Sequence, residues 1–452
     1  MSLRKIVLFL SNNIFIQRSF HEGMVDVLQV EEVEIITKKG EQFKGILLPS
    51  PDPKIITIKL KSGYNINIDK KYATNIKKLG KITIPRQKRE FTQDPSLPKI
   101  AILHTGGTVA AEVDYATGAV TTRFTPDELI GKFPELSSLV NIDSRLMSNM
   151  WSGDMRFAHY NKMAKEIELE IKKGVEGIII THGTDTMHYT AAALSFMLQD
   201  LPIPIILVGS QRSSDRGSTD AFLNLVSAAL FIVKTDFAGV ALCMHENAND
   251  DDCIILPSLK SKKLHASRRD AFKAVNAKPI ARVNYAENLV QMLVQDHKRR
   301  DRNAQLKLLM MDPLIKVGIV RAHPNLFAVE LAAYKSFDGL IIEGTGLGHM
   351  SVSKIDDVTV ENEKILLEVT KLAKKMPVVM TSQTVFGRVN MNIYSYGRKL
   401  QAAGVIGNYN DMTTETAFIK LAFLLSQKKS LEEIRVLMGE NMHGELSKRI
   451  LP

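Results

Sequence analysis

Cysteine is almost absent from this 452-residue chain: Cys243 and Cys253 are the whole complement, and they form no CxxC pair. That scarcity excludes a disulfide framework and argues against a structural zinc site. Long apolar runs are missing too, and none approaches the roughly 20 residues that a membrane-spanning helix needs. The apolar residues 6–10 after Arg4-Lys5 are ended by Ser11-Asn12-Asn13, too soon for the hydrophobic region of a signal peptide. A cytoplasmic protein without a membrane span is therefore expected. Gly344, Gly346 and Gly348 are spaced GxGxG before His349 rather than GxGxxG, which points to backbone packing and not to a dinucleotide. Asp250-Asp251-Asp252 reads as a solvated loop, and no metal or cofactor is expected in this chain.

The length exceeds what one core normally serves, so two or three domains are expected. The net charge of +10 is uneven: through Pro95 there are 17 Lys and Arg against 10 Asp and Glu, an excess of seven in roughly the first fifth. A basic N-terminal module suits RNA or an acidic protein face. Lysines spread for solubility would give the same count. Within it, β-forming runs at 33–37, 43–48, 55–60 and 64–68 are broken at Lys39-Gly40, at the prolines of 49–53 and at Ser62-Gly63. Residues 1–80 thus read as a small barrel of Sm-like or SH3-like type. The polar stretch 81–98, punctuated by Pro85, Pro95 and Pro98, reads as a linker.

The rhythm then changes to strand, loop and helix. Strands are expected at 100–103, 177–181, 204–209 and 238–244, with helices opening near Thr125 and over 157–173, 189–199 and 220–233, the second ended by Gly174. Alternation of this kind predicts an α/β, doubly wound, mostly parallel sheet over 99–296, with functional loops at the C-terminal ends of the strands. The charged segment within 297–312 leads to a smaller series over 313–452, with strands at 317–320, 339–342 and 378–381.

Two of those loops carry the chemistry. His104-Thr105-Gly106-Gly107-Thr108 and Thr181-His182-Gly183-Thr184-Asp185-Thr186 offer hydroxyls for nucleophiles and glycines that let a substrate approach the backbone. A threonine hydroxyl needs a base, and Asp185 can orient one. A lysine shielded from water near a carboxylate can serve, and Lys260, Lys262 and Lys263 follow the apolar residues 253–256, although spacing alone does not choose among them. His104 and His182 abut the loops and read as hydrogen-bonded structural histidines.

Together, TGGT at 105–108 and HGTDT at 182–186 resemble the L-asparaginase family. The resemblance runs from about Lys99 to the C-terminus and implies an asparaginase-like two-domain fold. It places the nucleophile on Thr108, the second threonine and its aspartate on Thr184 and Asp185, and the lysine on Lys263, counted back from Phe272-Lys273-Ala274-Val275-Asn276. It also implies substrate-binding roles for Gly107, Ser152, Gly153 and Gly183, with Ser152 holding the α-carboxylate. The family tyrosine on the loop after the first motif is missing: Ala119 stands at its expected place and Tyr115 is off register, which implies slow hydrolysis of free asparagine.

The segments 267–272 and 343–349, with the extra N-terminal domain, resemble the D-type chains of the archaeal glutamyl-tRNA(Gln) amidotransferases. That branch implies a glutaminase or asparaginase-type chain that releases ammonia from glutamine or asparagine. A partner subunit of E type, using ATP and Mg, then amidates Glu-tRNA(Gln). It further implies a homodimer through the asparaginase-like domains, with residues 345–349 at the contact, a heterotetramer overall, and access to tRNA(Gln) through the complex. A free-standing cytosolic L-asparaginase is the competing enzyme reading. A non-catalytic RNA-binding scaffold, resting on the basic barrel and residues 297–302, would leave the threonine loops without a purpose.

Overall fold

The computed structural model describes residues 28–448 apart from 51, 85–92, 108, 110, 114–119, 123–132 and 215. Thr108, Tyr115, Ala119 and the helix expected near Thr125 lie outside the described residues.

The N-terminal domain is an antiparallel five-stranded sheet of Leu28–Thr37, Gln42–Leu48, Ile55–Leu60, Asn65–Asp69 and Ala73–Ile84, with the first strand between the second and the fifth. Val33, Ile35, Ile56, Ile58 and Ile68 form its core. Alternate residues of the first and third strands point inward, as the two-residue side-chain period requires. The last strand runs to Ile84, past the position where the sequence places the start of a linker, because Leu28 to Val30 supply pairing partners for Ile82 to Ile84.

The large domain holds an eight-stranded sheet. Asn141–Leu146, Lys99–His104, Gly177–Thr181, Pro204–Val208 and Gly239–His245 run parallel in that order, and Asp252–Pro257, Ala281–Asn284 and Leu289–Met292 extend it antiparallel. The central strands are buried along their length, as in Gly-Ile-Ile-Ile-Thr at 177–181, because helices cover both sheet faces. On one face Phe157–Lys172 packs through Tyr160, Met163, Ala164 and Ile167, and Gly174 ends it at φ +78°. Met187–Met197 lies on the same face, two residues earlier than the sequence suggests, because Leu198–Gln199 pairs as a short strand with Lys307–Leu308. Ala221–Lys234 covers the opposite face.

The smaller domain has a three-stranded parallel sheet of Val317–Arg321, Gly339–Gly344 and Val378–Ser382. Its helix Thr414–Ser426 lies against Met187–Met197, with Phe196 and Phe423 stacked at 5.7 Å, so the two domains share one apolar core. Lys420 and Glu445, both with fully buried side chains, pair at 2.6 Å beside that core.

Candidate active site

Parallel registry sets the site. Thr181 is paired with His104 on one side and Val208 on the other, so the chain leaves three neighbouring strands at one level. The loops that follow are packed backbone to backbone. Gly107 takes φ +81°, and a Cβ there would stand 2.5 Å from the Gly183 nitrogen. A Cβ on Gly183 would meet the Ser152 Cβ and Oγ at 2.8 Å, and one on Gly209 would meet the Thr184 methyl at 2.6 Å. Glycine is what allows this approach.

Two histidines brace the loops. The ring nitrogens of His104 hydrogen-bond the Thr181 and Ser144 hydroxyls, each at 2.8 Å. Those of His182 contact the Gly183 carbonyl at 2.7 Å and the Thr190 hydroxyl at 2.9 Å. Burial pushes both rings down to about 4, so both are neutral at physiological pH and serve as fixed supports.

The central contact is made by Lys263, the last residue of the short strand Ser261–Lys263, which pairs with Phe272–Ala274. Its Nζ donates to Thr184 Oγ1 and to Asp185 Oδ1, at 2.8 Å in each case. The hydrogen bond from Lys263 is the main cause holding the Asp185 carboxyl below its ordinary value, with a smaller contribution from Trp151. Thr184 is buried, the Lys263 side chain is 11 % exposed, and the Asp185 side chain is half exposed. The neighbouring lysines are engaged elsewhere: Lys260 with buried Asp411 at 2.8 Å, and Lys262 with Glu415 at 2.5 Å. Geometry therefore separates three lysines that spacing leaves equivalent.

Ser152 is buried beside Gly183, and its Oγ has no hydrogen-bond partner among the described residues. A buried unpaired hydroxyl is costly, and a bound polar group is one way to satisfy it. The Ser152 carbonyl is occupied, accepting from Thr186 Oγ1 at 2.7 Å. Helix Met187–Met197 begins directly after Thr186, so its first backbone N–H groups lie next to this cleft, an arrangement suited to developing negative charge. The structure thus brings Gly107, Ser152, Gly153, Gly183, Thr184, Asp185 and Lys263 together in one cluster. Thr108 lies outside the described residues.

Sequence reasoning misses Trp151, whose Nε1 donates to Asp185 Oδ2 at 3.3 Å, and the Gly209 turn behind Thr184. Adjacency to Ser152 is the only sequence signal that singles out Trp151. Asp250 is taken by Arg269 and His245, and among the described residues no group of three or more His, Cys, Asp or Glu could hold a metal ion. No helix among them is long and apolar enough to cross a membrane.

Known families account for most of the chain. Residues 99–295 match the family model "Asparaginase, N-terminal", residues 316–438 the "Glutaminase/Asparaginase C-terminal domain", and residues 28–79 the "GatD N-terminal domain". The D subunit of the glutamyl-tRNA(Gln) amidotransferase of Methanococcus maripaludis is 43% identical over 414 residues, covering 90% of this chain and 96% of its own length. That of Methanosphaera stadtmanae is 40% identical over 446 residues, covering 95% and 97%. Among solved structures, the thermostable L-asparaginase from Thermococcus kodakarensis matches with a TM-score of 0.67 and 30% identity, covering 78% of this chain and all of that one.

Proposed function

Because the chain belongs to the asparaginase family, in the branch of the glutamyl-tRNA(Gln) amidotransferase D subunits, we propose that its cleft hydrolyses the side-chain amide of glutamine through a threonyl ester. The ammonia serves the conversion of Glu-tRNA(Gln) to Gln-tRNA(Gln). The contact of Lys263 Nζ with both Thr184 Oγ1 and Asp185 Oδ1, at 2.8 Å each, carries this reading.

In the first half-reaction the Thr108 hydroxyl attacks the amide carbon and gives up its proton, which passes to the nitrogen as the C–N bond breaks and ammonia leaves. In the second half-reaction water attacks the ester carbonyl, and the Thr184, Lys263 and Asp185 relay accepts a proton from it and returns one to the Thr108 oxygen as the ester C–O bond breaks, freeing glutamate and the Thr108 hydroxyl. Backbone N–H groups at the start of helix Met187–Met197 stabilise the oxyanion of both steps. Asp185 grips the α-ammonium of the substrate while orienting Lys263, Ser152 takes its α-carboxylate, and Gly107, Gly153 and Gly183 keep the backbone close to it.

The proposed division of labour gives ATP and Mg to the E-type partner subunit and places two copies of this chain in a homodimer through their asparaginase-like parts, within a cytoplasmic heterotetramer. The units 1–80, 99–296 and 313–452 act as an accessory domain and the two halves of the hydrolase. The N-terminal domain argues against a free-standing asparaginase, since the matched asparaginase model begins only at residue 99. The test is ammonia release from glutamine, measured with and without the partner subunit and Glu-tRNA(Gln). Strong stimulation is expected, and a rate indifferent to both additions would favour the free-standing enzyme.

A further inference from the structure

The functional reading gives Trp151 no task, yet its indole contacts the carboxylate at the centre of the cleft. Trp151 is the only tryptophan of the chain and is 66% exposed, although it directly precedes buried Ser152. Its Nε1 donates to Asp185 Oδ2 at 3.3 Å, while Lys263 donates to Oδ1 at 2.8 Å. Both carboxylate oxygens are therefore held, and two donors from distant parts of the chain fix the plane of the group.

Gly153 makes this possible. A Cβ there would stand 2.8 Å from Cη2 and Cζ3 of the indole and 3.0 Å from Cε3, so the ring packs closely on the Gly153 backbone. Gly153 does not adopt the positive φ that Gly107 uses, so the turn itself does not require glycine. The absent side chain is room for the indole.

We propose that Trp151 is a positioning residue for the amide hydrolysis: its N–H, seated by Gly153, orients the Asp185 carboxylate between Lys263 and the α-ammonium of the substrate. This rests on the role given to Asp185 above. Loss of the N–H should weaken substrate binding more than the chemical step, because the Lys263 contact with Thr184 does not depend on it.

The test uses the complex with its partner subunit and Glu-tRNA(Gln). Trp151→Phe keeps an aromatic ring and removes the N–H, and should raise KM for glutamine about fivefold with kcat little changed, as expected for one long hydrogen bond to a charged group. The acid limb of kcat/KM should move to higher pH, since one of the donors that keeps Asp185 ionised is gone. Gly153→Ala should displace the ring, so adding Trp151→Phe to it should raise KM no further. Emission of the sole tryptophan in the full chain should also change in Gly153→Ala and in Asp185→Ala, a readout independent of turnover. A Trp151→Phe variant with unaltered KM and pH profile, or emission unmoved in both other variants, overturns the inference. Failure of the underlying reading shows differently, as full turnover in Thr184→Ala.

Discussion

Replacing Lys263 with methionine removes the amino group that bridges Thr184 and Asp185 while keeping a side chain of similar length. Positioned acid–base groups contribute about 10²–10⁴-fold to rate, so ammonia release at saturating glutamine should fall by a factor in that range. Stability should change little. The Asp185 side chain is 54% exposed, so water can solvate the oxygen that Lys263 vacates, and the lost pair is worth within about 1 kcal/mol after screening. The assay is steady-state ammonia production by the complex supplied with Glu-tRNA(Gln), alongside thermal denaturation of the same preparation. Lys262→Arg is the matched control, because it keeps a cation beside Glu415 and does not touch the loop threonine. Turnover in Lys263→Met within threefold of that control would refute the relay, and a collapse of the melting temperature would show the lysine to be structural instead.

Ser152→Ala should raise KM for glutamine about tenfold with a smaller effect on kcat, because the hydroxyl that lacks a partner among the described residues would meet the substrate in ground and transition states alike; initial rates against glutamine concentration check this. Burial holds His104, His182 and His188 near 4 in the folded protein, below the 6.5 of an exposed imidazole, so the unfolded chain binds more protons between those values. Their contribution to stability is present in full above about pH 6.5 and is lost as pH falls toward 4. Denaturant midpoints should decline through that window, and His104→Gln should flatten the slope. Lys260→Met strands the buried Asp411 carboxylate and should cost about 3–5 kcal/mol in equilibrium unfolding.

Much of this arrangement is legible from residues alone, because local chemistry dictates it. The run 177–181 could only be a strand covered on both faces, and Gly174 closes the helix Phe157–Lys172 where its apolar stripe ends. The outer strand Asn141–Leu146 is not legible: Asn-Ile-Asp-Ser-Arg-Leu has only two apolar residues, with three consecutive polar ones between them, and its pairing with Lys99–His104 is a long-range event. Choosing Lys263 over Lys260 and Lys262 likewise needs three dimensions, since the choice depends on where Asp411 and Glu415 arrive from the smaller domain. Trp151 escapes notice for the same reason, its partner lying in another loop. Motif spacing names the candidate groups, while registry between strands and the seating of one domain on the other decide which of them touch.

The most direct test of the relay is ammonia production by Thr184→Ala, Lys263→Met and the double variant, each in the complex with Glu-tRNA(Gln) at saturating glutamine. Two groups that move one proton together should fail together, so each single variant should lose most of the activity and the double variant should be no worse than either. Near-normal turnover in Thr184→Ala, or losses that multiply in the double variant, would contradict the account.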